Sequence, residues 1–463
     1  MTRAGVDVGV GAGRTQGGAE EEAERWLLSL ELFGMRFGLD RMHRLMTALD
    51  APHERFAAIH VVGTNGKSST VRMIAALLHH HGVRAGAYLS PHLVSFAERI
   101  RIDDTDISAD AFAAAVGRAR RATLLVDRTL DADDHVTQFE ALTAAAYAQL
   151  AEAGVEVAVV EAGLGGRWDA TNVIGAGSAV LTNVGLEHTR WLGPTVADIA
   201  REKLAVVKRS DPTTTLVLGS GLHPDAEAEA LVVAERQSAT IVRAPAAPPA
   251  GTELVARGAF QRRNFAVACA AAQAYLGRLD TAAVAAAAAS TVVPGRFEVL
   301  ADDGHDGVVV EIVLDGAHNA GGIEALAASL PEFLTGRPLV AVLSVLDDKD
   351  AAAMLSTLLP LCAGAVFTAN HNPRALSPAT LASLAGQIGA PGGWDGVTRV
   401  EADPHRALAL ARRLAAEIGA HPHAGGRGPG GGRPRPGVVL ATGSIYLIAD
   451  LMRPAGAGRG STL

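Results

Sequence analysis

The chain has 463 residues, more than one ordinary core organises, so two domains are expected. Its 41 basic and 49 acidic residues leave a net charge of -8, which excludes a nucleic-acid binder whose affinity rests on a basic surface. Hydrophobic residues make up 49% and charged residues 19%, the balance of a soluble globular protein, and no apolar run reaches the roughly 18 residues of a membrane helix.

Residues 1–20 (MTRAGVDVGVGAGRTQGGAE) carry no apolar stretch of the signal-peptide kind and read as a flexible lead-in. Downstream, apolar strands alternate with helical stretches. AAIHVV (57–62) runs straight into GTNGKSS and then the helical STVRMIAALLHHH. A helix is expected from about Thr137 to Ala153. EVAVVE (156–161) and SAVLTNV (178–184) each end in a loop that carries glycine. Apolar strands with polar residues at their C-terminal ends are the mark of a parallel α/β sheet. A second series follows Pro294: VVVEIVLDGAHN (308–319), PLVAVL (338–343), GAVFTA (364–369) and GVVLATGS (437–444). We therefore expect an α/β protein with a first domain over 21–295 and a smaller Rossmann-like domain over 296–463. Residues 424–437 (AGGRGPGGGRPRPG) form a low-complexity loop within the second. Cys269 and Cys362 lie far apart, which rules out a disulfide framework or a cysteine-based zinc site and fits a reducing cytoplasm.

Gly63-Thr64-Asn65-Gly66-Lys67-Ser68-Ser69 sits between a strand and a helix, the context a phosphate loop requires. Glycine admits close backbone approach, successive N–H groups make an anion nest, and the helix start adds a positive dipole end. Lys67 would reach the β- and γ-phosphates, and a hydroxyl of Ser68 or Ser69 would approach Mg²⁺. The full G-x-x-x-x-G-K-[ST] pattern is not met, because position 61 is Val. Glu161, at the end of an apolar strand, is costly to bury unless paired or metal-bound.

GTNGK resembles the shortened phosphate loop of Mur ligases, and FGLDRM (37–42) with IHVVGTNGKSS (59–69) resembles folylpolyglutamate synthase/dihydrofolate synthase in particular. The resemblance continues through Ser90-Pro91-His92-Leu93, through Glu161-Ala162-Gly163-Leu164-Gly165-Gly166-Arg167-Trp168-Asp169-Ala170-Thr171-Asn172, and through the stretch from His188 to Lys203. It extends to Gln261 and Asn264, Arg296 in PGRFE, Asp315-Gly316-Ala317-His318-Asn319 and, more weakly, LDDKD (346–350) with Lys349 and NPRAL (372–376). It covers roughly residues 25–450.

The resemblance implies a Mur-ligase-like, P-loop ATP-binding domain with a parallel-rich sheet, followed by the smaller Rossmann-like domain. It implies that Ser90, Glu161 and His188 hold Mg²⁺, that Lys203 is carbamoylated, and that Asn264, Arg296 and Asp315 bind ATP with the phosphate loop. Lys67, Lys203 and His318 would be catalytic. Thr137-Gln138-Phe139-Glu140 resembles the segment whose Phe stacks on a pterin, so Thr137, Phe139 and Asp169 would bind the substrate. Departures from the family pattern occur at Ser68, Ala97, Trp168, Phe260 and Ala320.

The implied reaction joins L-glutamate to dihydropteroate, to a reduced folate, or to both, through an acyl phosphate made with ATP. A cytoplasmic monomer that engages neither nucleic acid nor membrane is expected. Two alternatives remain: a Mur-type ligase acting on a non-folate acid, and a catalytically degenerate nucleotide-binding protein.

Overall fold

All seven strands expected from the apolar runs form, because both of their faces are covered and their backbone groups are satisfied by parallel neighbours. In the computed structural model, residues 16–30, 38–209, 214–300, 310–392, 394–420 and 436–455 are described. The first sheet is built from β1 (Ala57–Val62), β2 (Ala85–Tyr88), β3 (Ile100–Ile102), β4 (Thr105–Asp106), β5 (Val157–Glu161), β6 (Ser178–Leu181), β7 (Thr215–Leu218) and β8 (Thr240–Arg243). Its order is β4-β3-β2-β5-β1-β6-β7-β8, parallel from β2 to β8 with an antiparallel pair at the β3–β4 edge. The second sheet contains β9 (Glu298–Leu300), β10 (Glu311–Leu314), β11 (Leu339–Leu343), β12 (Gly364–Phe367), β13 (Val397–Val400) and β14 (Val438–Thr442). Its order is β13-β12-β11-β14-β10-β9, parallel except for β9.

Strand order places the chemistry. β1 lies between β5 and β6, with Val61 opposite Glu161 and Val62 opposite Leu181. Parallel strands deliver their C-terminal loops to one edge, so the loops after β1, β5, β6 and β2 must converge there. Beneath that edge the helix Lys67–His80 buries Val71, Met73, Ile74, Leu77 and Leu78 against the helix Ala259–Leu276 and the sheet. The alanines of that second helix let the two approach closely. This is how a chain with only 4% aromatic residues fills its interior.

The helix expected from about Thr137 to Ala153 spans Gln138–Glu152, with Thr137 as its N-cap. Thr137 and Glu140 form a reciprocal capping box, which satisfies two otherwise orphaned backbone donors. One expectation needs correcting. Residues 16–20, assigned to a flexible lead-in, begin the helix Gln16–Ser29, which buries Ala23 and Leu27 against the first domain's core. The amphipathic run continues further toward the N-terminus than glycine-rich composition suggested. Residues 1–15, and most of the low-complexity loop 424–437, lie outside the described residues.

Arg41 is a structural anchor beside the sheet. Its Nε donates to both oxygens of Glu140 at 3.0 Å, and its Nη1 reaches Asp134 at 2.9 Å. Arg41 and Glu140 side chains are 8% and 7% exposed, so neither charge can recover water if the other is lost. Arg41→Met is expected to cost about 3–5 kcal/mol in urea unfolding. Glu140→Gln added to it should give back part of that loss. A stability change below about 1 kcal/mol would mean that solvent reaches the pair.

Candidate active site

The phosphate loop leaves β1 and enters the helix Lys67–His80, as its sequence context requires. Gly66 caps that helix at φ +80°, a left-handed conformation that glycine adopts without penalty, and no side chain caps the helix start. The first-turn N–H groups are thus left to a ligand. The loop after β6 braces this turn. Asn183 accepts from Asn65 N–H through Oδ1 at 2.9 Å and donates to the Asn65 carbonyl at 3.0 Å, and Thr182 donates to the same carbonyl at 2.7 Å. Lys67 Nζ donates to the Thr64 carbonyl at 3.2 Å. Asn264 lies against the loop, where a Cβ on Gly66 would come 2.6 Å from its Oδ1.

Glu161 ends β5 beside the loop and is 1% exposed. Its oxygens accept from the Ser68 hydroxyl at 2.9 Å and from Ser90 N–H at 3.1 Å. Burial raises its pKa, opposed by the nearby Lys67 charge and these two hydrogen bonds. Among the described residues it has no ion-pair partner within 4 Å. Of the two candidate hydroxyls, Ser68 is the one on Glu161.

His188 caps the short helix Thr189–Leu192 in a left-handed conformation at φ +52°, a strained placement of the kind found at functional sites. Partial burial, with Lys349, Lys203 and Lys67 nearby, pulls its pKa down to about 4 against the pull of Glu187, so the imidazole is neutral. Lys203 is 5% exposed and donates to the Gly63 carbonyl at 2.8 Å. Burial, then the charge of Lys67, brings its pKa down to about 7. Its amine is therefore largely neutral just above neutrality.

The second domain meets this edge through the loops after β10, β11 and β14. Asn65 and Asn319 exchange side-chain amide hydrogen bonds at 3.2 and 3.0 Å. Glu187 Oε1 accepts from Asn319 Nδ2 at 3.1 Å and Lys349 Nζ at 3.3 Å, and His318 Nε2 lies 3.4 Å away. Although burial alone would raise the pKa of Glu187, the contact with His318 and the charge of Lys349 hold it far below the usual carboxylate range. The position is visible in the sequence only as the residue before His188; its clasp role needs the second domain.

Asp315, expected at the nucleotide, ends β10 and is buried. Each of its oxygens accepts from a backbone N–H group, of Phe297 and of Ala317, at 2.8 Å. It shapes the Arg296 turn from below, and Arg296 itself lines the cleft.

Between the domains lies a cavity of about 700 Å³. Phe139, Asp169 and Thr137 line it on one side, and Arg296, His318 and Lys349 on the other. Phe139 stacks on Tyr88 with ring centroids 6.2 Å apart. A Cβ on Gly163 would lie 2.7 Å from Phe139 Cζ and 3.2 Å from Asp169 Oδ2, so only glycine lets these two walls stand so close. The Thr137 hydroxyl is held by its capping box with Glu140.

A parallel-sheet domain whose phosphate-loop turn hydrogen-bonds a second domain beside an open cleft is the architecture of an ATP-dependent amide ligase of the Mur type. The family model for the Mur ligase middle domain matches residues 61–242, and that for the Mur ligase glutamate ligase domain matches 295–421. Dihydrofolate synthase/folylpolyglutamate synthase of Mycobacterium tuberculosis is 36% identical over 383 residues, 75% of this chain and 77% of that protein. The Bacillus subtilis protein of the same description is 30% identical over 77% of this chain and 86% of its own length. The solved structure of Mycobacterium tuberculosis folylpolyglutamate synthase complexed with ADP is similar with a TM-score of 0.84 at 32% identity, covering 96% of this chain and 100% of that one. The chain belongs to the dihydrofolate synthase/folylpolyglutamate synthase family.

Members of this family use ATP with Mg²⁺. Among the described residues no group of three or more His, Cys, Asp or Glu side chains forms an all-protein metal cage. Magnesium does not need one, since it is commonly held by one or two carboxylates together with water and substrate phosphates. Glu161, buried with no ion pair within 4 Å among the described residues and next to two serines, fits that donor set, and a neutral His188 leaves a ring nitrogen free to ligate. Glu161→Gln keeps the volume and removes the charge, so it is expected to shift the magnesium titration of ATP turnover to at least tenfold higher concentration. A wild-type titration in that variant would assign Glu161 to structure alone.

Proposed function

We propose that this chain joins L-glutamate to dihydropteroate, to reduced folates, or to both, at the expense of ATP. The observation that carries the reading is the juxtaposition of Phe139 and Asp169 across Gly163 in a cleft that Ser90, His188, Arg296 and His318 also line. A flat pterin needs an aromatic face and a few polar contacts at its edge, and those residues supply both.

In this reading the acceptor's carboxylate attacks the γ-phosphate, ADP leaves, and the amine of glutamate then displaces phosphate from the acyl phosphate. The protein's part is positioning and charge neutralisation. The Gly63–Ser69 turn and Asn264 hold the nucleotide, and Lys67 offsets charge on the transferring group. Arg296 offers a fixed guanidinium fork to phosphate. His318, beside Glu187, would take the proton of the incoming amine. Ser90, Glu161 and His188 would hold Mg²⁺, which supplies charge neutralisation to the phosphates. The clasp of Asn65 and Glu187 with the second domain closes the cleft and keeps water from the acyl phosphate.

Lys203 is the proposed carbamate. A buried amine with its pKa near 7 is available to CO₂, and the product is an anion suited to neighbour a metal. The reading also carries a cytoplasmic monomer that binds neither nucleic acid nor membrane; the net charge of -8 and two free buried thiols support it.

The deciding assay is ATP turnover with glutamate and, in turn, dihydropteroate, tetrahydrofolate and no acceptor. Turnover driven by either pterin acid supports the reading, and turnover driven only by a non-pterin acid would replace it with a different Mur-type ligase. Phe139→Ala is expected to raise KM for the pterin acceptor about tenfold while KM for ATP stays near wild type. Lys203→Ala should lose ligation and regain part of it when a short carboxylic acid is added. Failure of rescue, together with a plain ammonium in a high-resolution map, would remove the carbamate.

A further inference from the structure

His60 is a polar residue inside the apolar run of β1, the central strand of the first sheet, and it is 0% exposed. An imidazole buried in a central strand is costly unless it is bonded. Its Nε2 lies 2.8 Å from Thr171 Oγ1. Thr171 is also fully buried, and its hydroxyl makes a short hydrogen bond with Asp169 Oδ1. The Thr171 N–H donates to the same oxygen at 3.0 Å, while Leu164 N–H donates to Oδ2 at 2.8 Å. Tyr147 fixes the Thr171 backbone by donating to its carbonyl at 2.9 Å.

Burial raises the pKa of Asp169, opposed by its hydrogen bonds with Thr171, Leu164 and Gly163. With that carboxylate ionised, the donors and acceptors in this chain have one consistent arrangement. An ionised carboxylate only accepts, so the single hydroxyl proton of Thr171 points to Asp169. The hydroxyl oxygen must then accept from His60, which makes Nε2 the protonated nitrogen. Nδ1, correspondingly, has no partner among the described residues. Burial pulls the pKa of His60 down to about 3, so the ring is neutral and keeps this tautomer throughout the working range.

We propose that His60 is a positioning residue for the acceptor substrate: acting through Thr171, it orients Asp169 and favours its ionised form, so that Oδ2 is presented to the pterin edge beside Phe139. The inference rests on the reading of Asp169 as the pterin contact. It goes further in assigning a residue of the strand beneath the phosphate loop to acceptor recognition. The nucleotide turn and the pterin carboxylate are thereby set by the same strand, His60 pointing to one and Gly63 beginning the other.

The test compares His60→Leu, His60→Gln, Thr171→Val and Asp169→Asn in the full-length enzyme. KM for dihydropteroate and for ATP are measured, with the pH dependence of kcat/KM for the acceptor. His60→Leu is expected to raise the acceptor KM about tenfold with the KM for ATP unchanged. Its acid limb should move to higher pH, because losing a donor chain that favours the carboxylate raises the carboxyl pKa. His60→Gln, which places an N–H near the lost Nε2–H, should recover most of the acceptor affinity. His60→Leu added to Thr171→Val should be no worse than Thr171→Val alone. Equal changes in both KM values, or a His60→Gln no better than His60→Leu, would reduce His60 to a core residue. If His60→Leu does not fold, the contrast between His60→Gln and Thr171→Val decides the matter. Acceptor KM insensitive to Asp169→Asn would overturn the pterin assignment and this inference with it. Sensitivity at Asp169 with none at His60 or Thr171 would overturn only the inference.

Discussion

A carboxylate at the end of a fully buried strand has to be met by something, and much of this structure is arranged around how Glu161 is met. Its desolvation is compensated by a hydroxyl of the phosphate loop and a backbone N–H of the loop after β2. Those two donors belong to segments far from Glu161 in sequence, so its charge helps to tie three strand ends into one surface. The compensation is incomplete, because hydrogen bonds without a full counter-charge leave a buried anion disposed to take a cation. A nucleotide with its magnesium offers that counter-charge where the phosphate-binding turn already lies.

The same economy appears between the domains. Asn65 sits in the nucleotide turn and Asn319 at the start of the helix Ala320–Leu334, and their amides are satisfied by each other. Glu187 of the first domain takes Lys349 and Asn319 of the second. Groups of the phosphate-loop turn and of the loop after β6 therefore also hold the two domains together. Ligand binding and domain approach become coupled without a dedicated hinge lock.

The departures from the family pattern have local explanations in several places. Ser68, where glycine is usual, places its hydroxyl on Glu161. Ala320 occupies the first turn of its helix, a position where the usual proline is tolerated but not required. Phe260 packs near Phe297 with ring centroids 6.4 Å apart and joins the second domain's core. Ala97 is buried against the first domain's core. Trp168 is 48% exposed at the cavity, where an indole adds a flat wall. Every residue assigned to phosphate or metal is retained beside these changes, which argues against a degenerate nucleotide binder.

The sequence by itself determined the alternation of strand and helix, the phosphate turn, and the helix that begins at Thr137. These are decided within a few residues by apolar periodicity, by glycine and by capping. Short or more polar strands were less visible: β8 and β13 are largely exposed, and β9 has only three residues. Their identity comes from a neighbour's hydrogen bonds and not from their own pattern. Motif order also named the candidates for the site, but it could not say which way their atoms point. Tertiary structure alone decided that Ser68 and not Ser69 meets Glu161, that each Asp315 oxygen accepts from a backbone amide, and that Glu187 clasps the second domain. It also decided that the one polar residue in AAIHVV after Ala58 reaches Asp169 through Thr171, 111 residues away in the chain. Hydrogen-bond partners are chosen by strand order and burial, and a linear sequence carries neither until the sheet has closed.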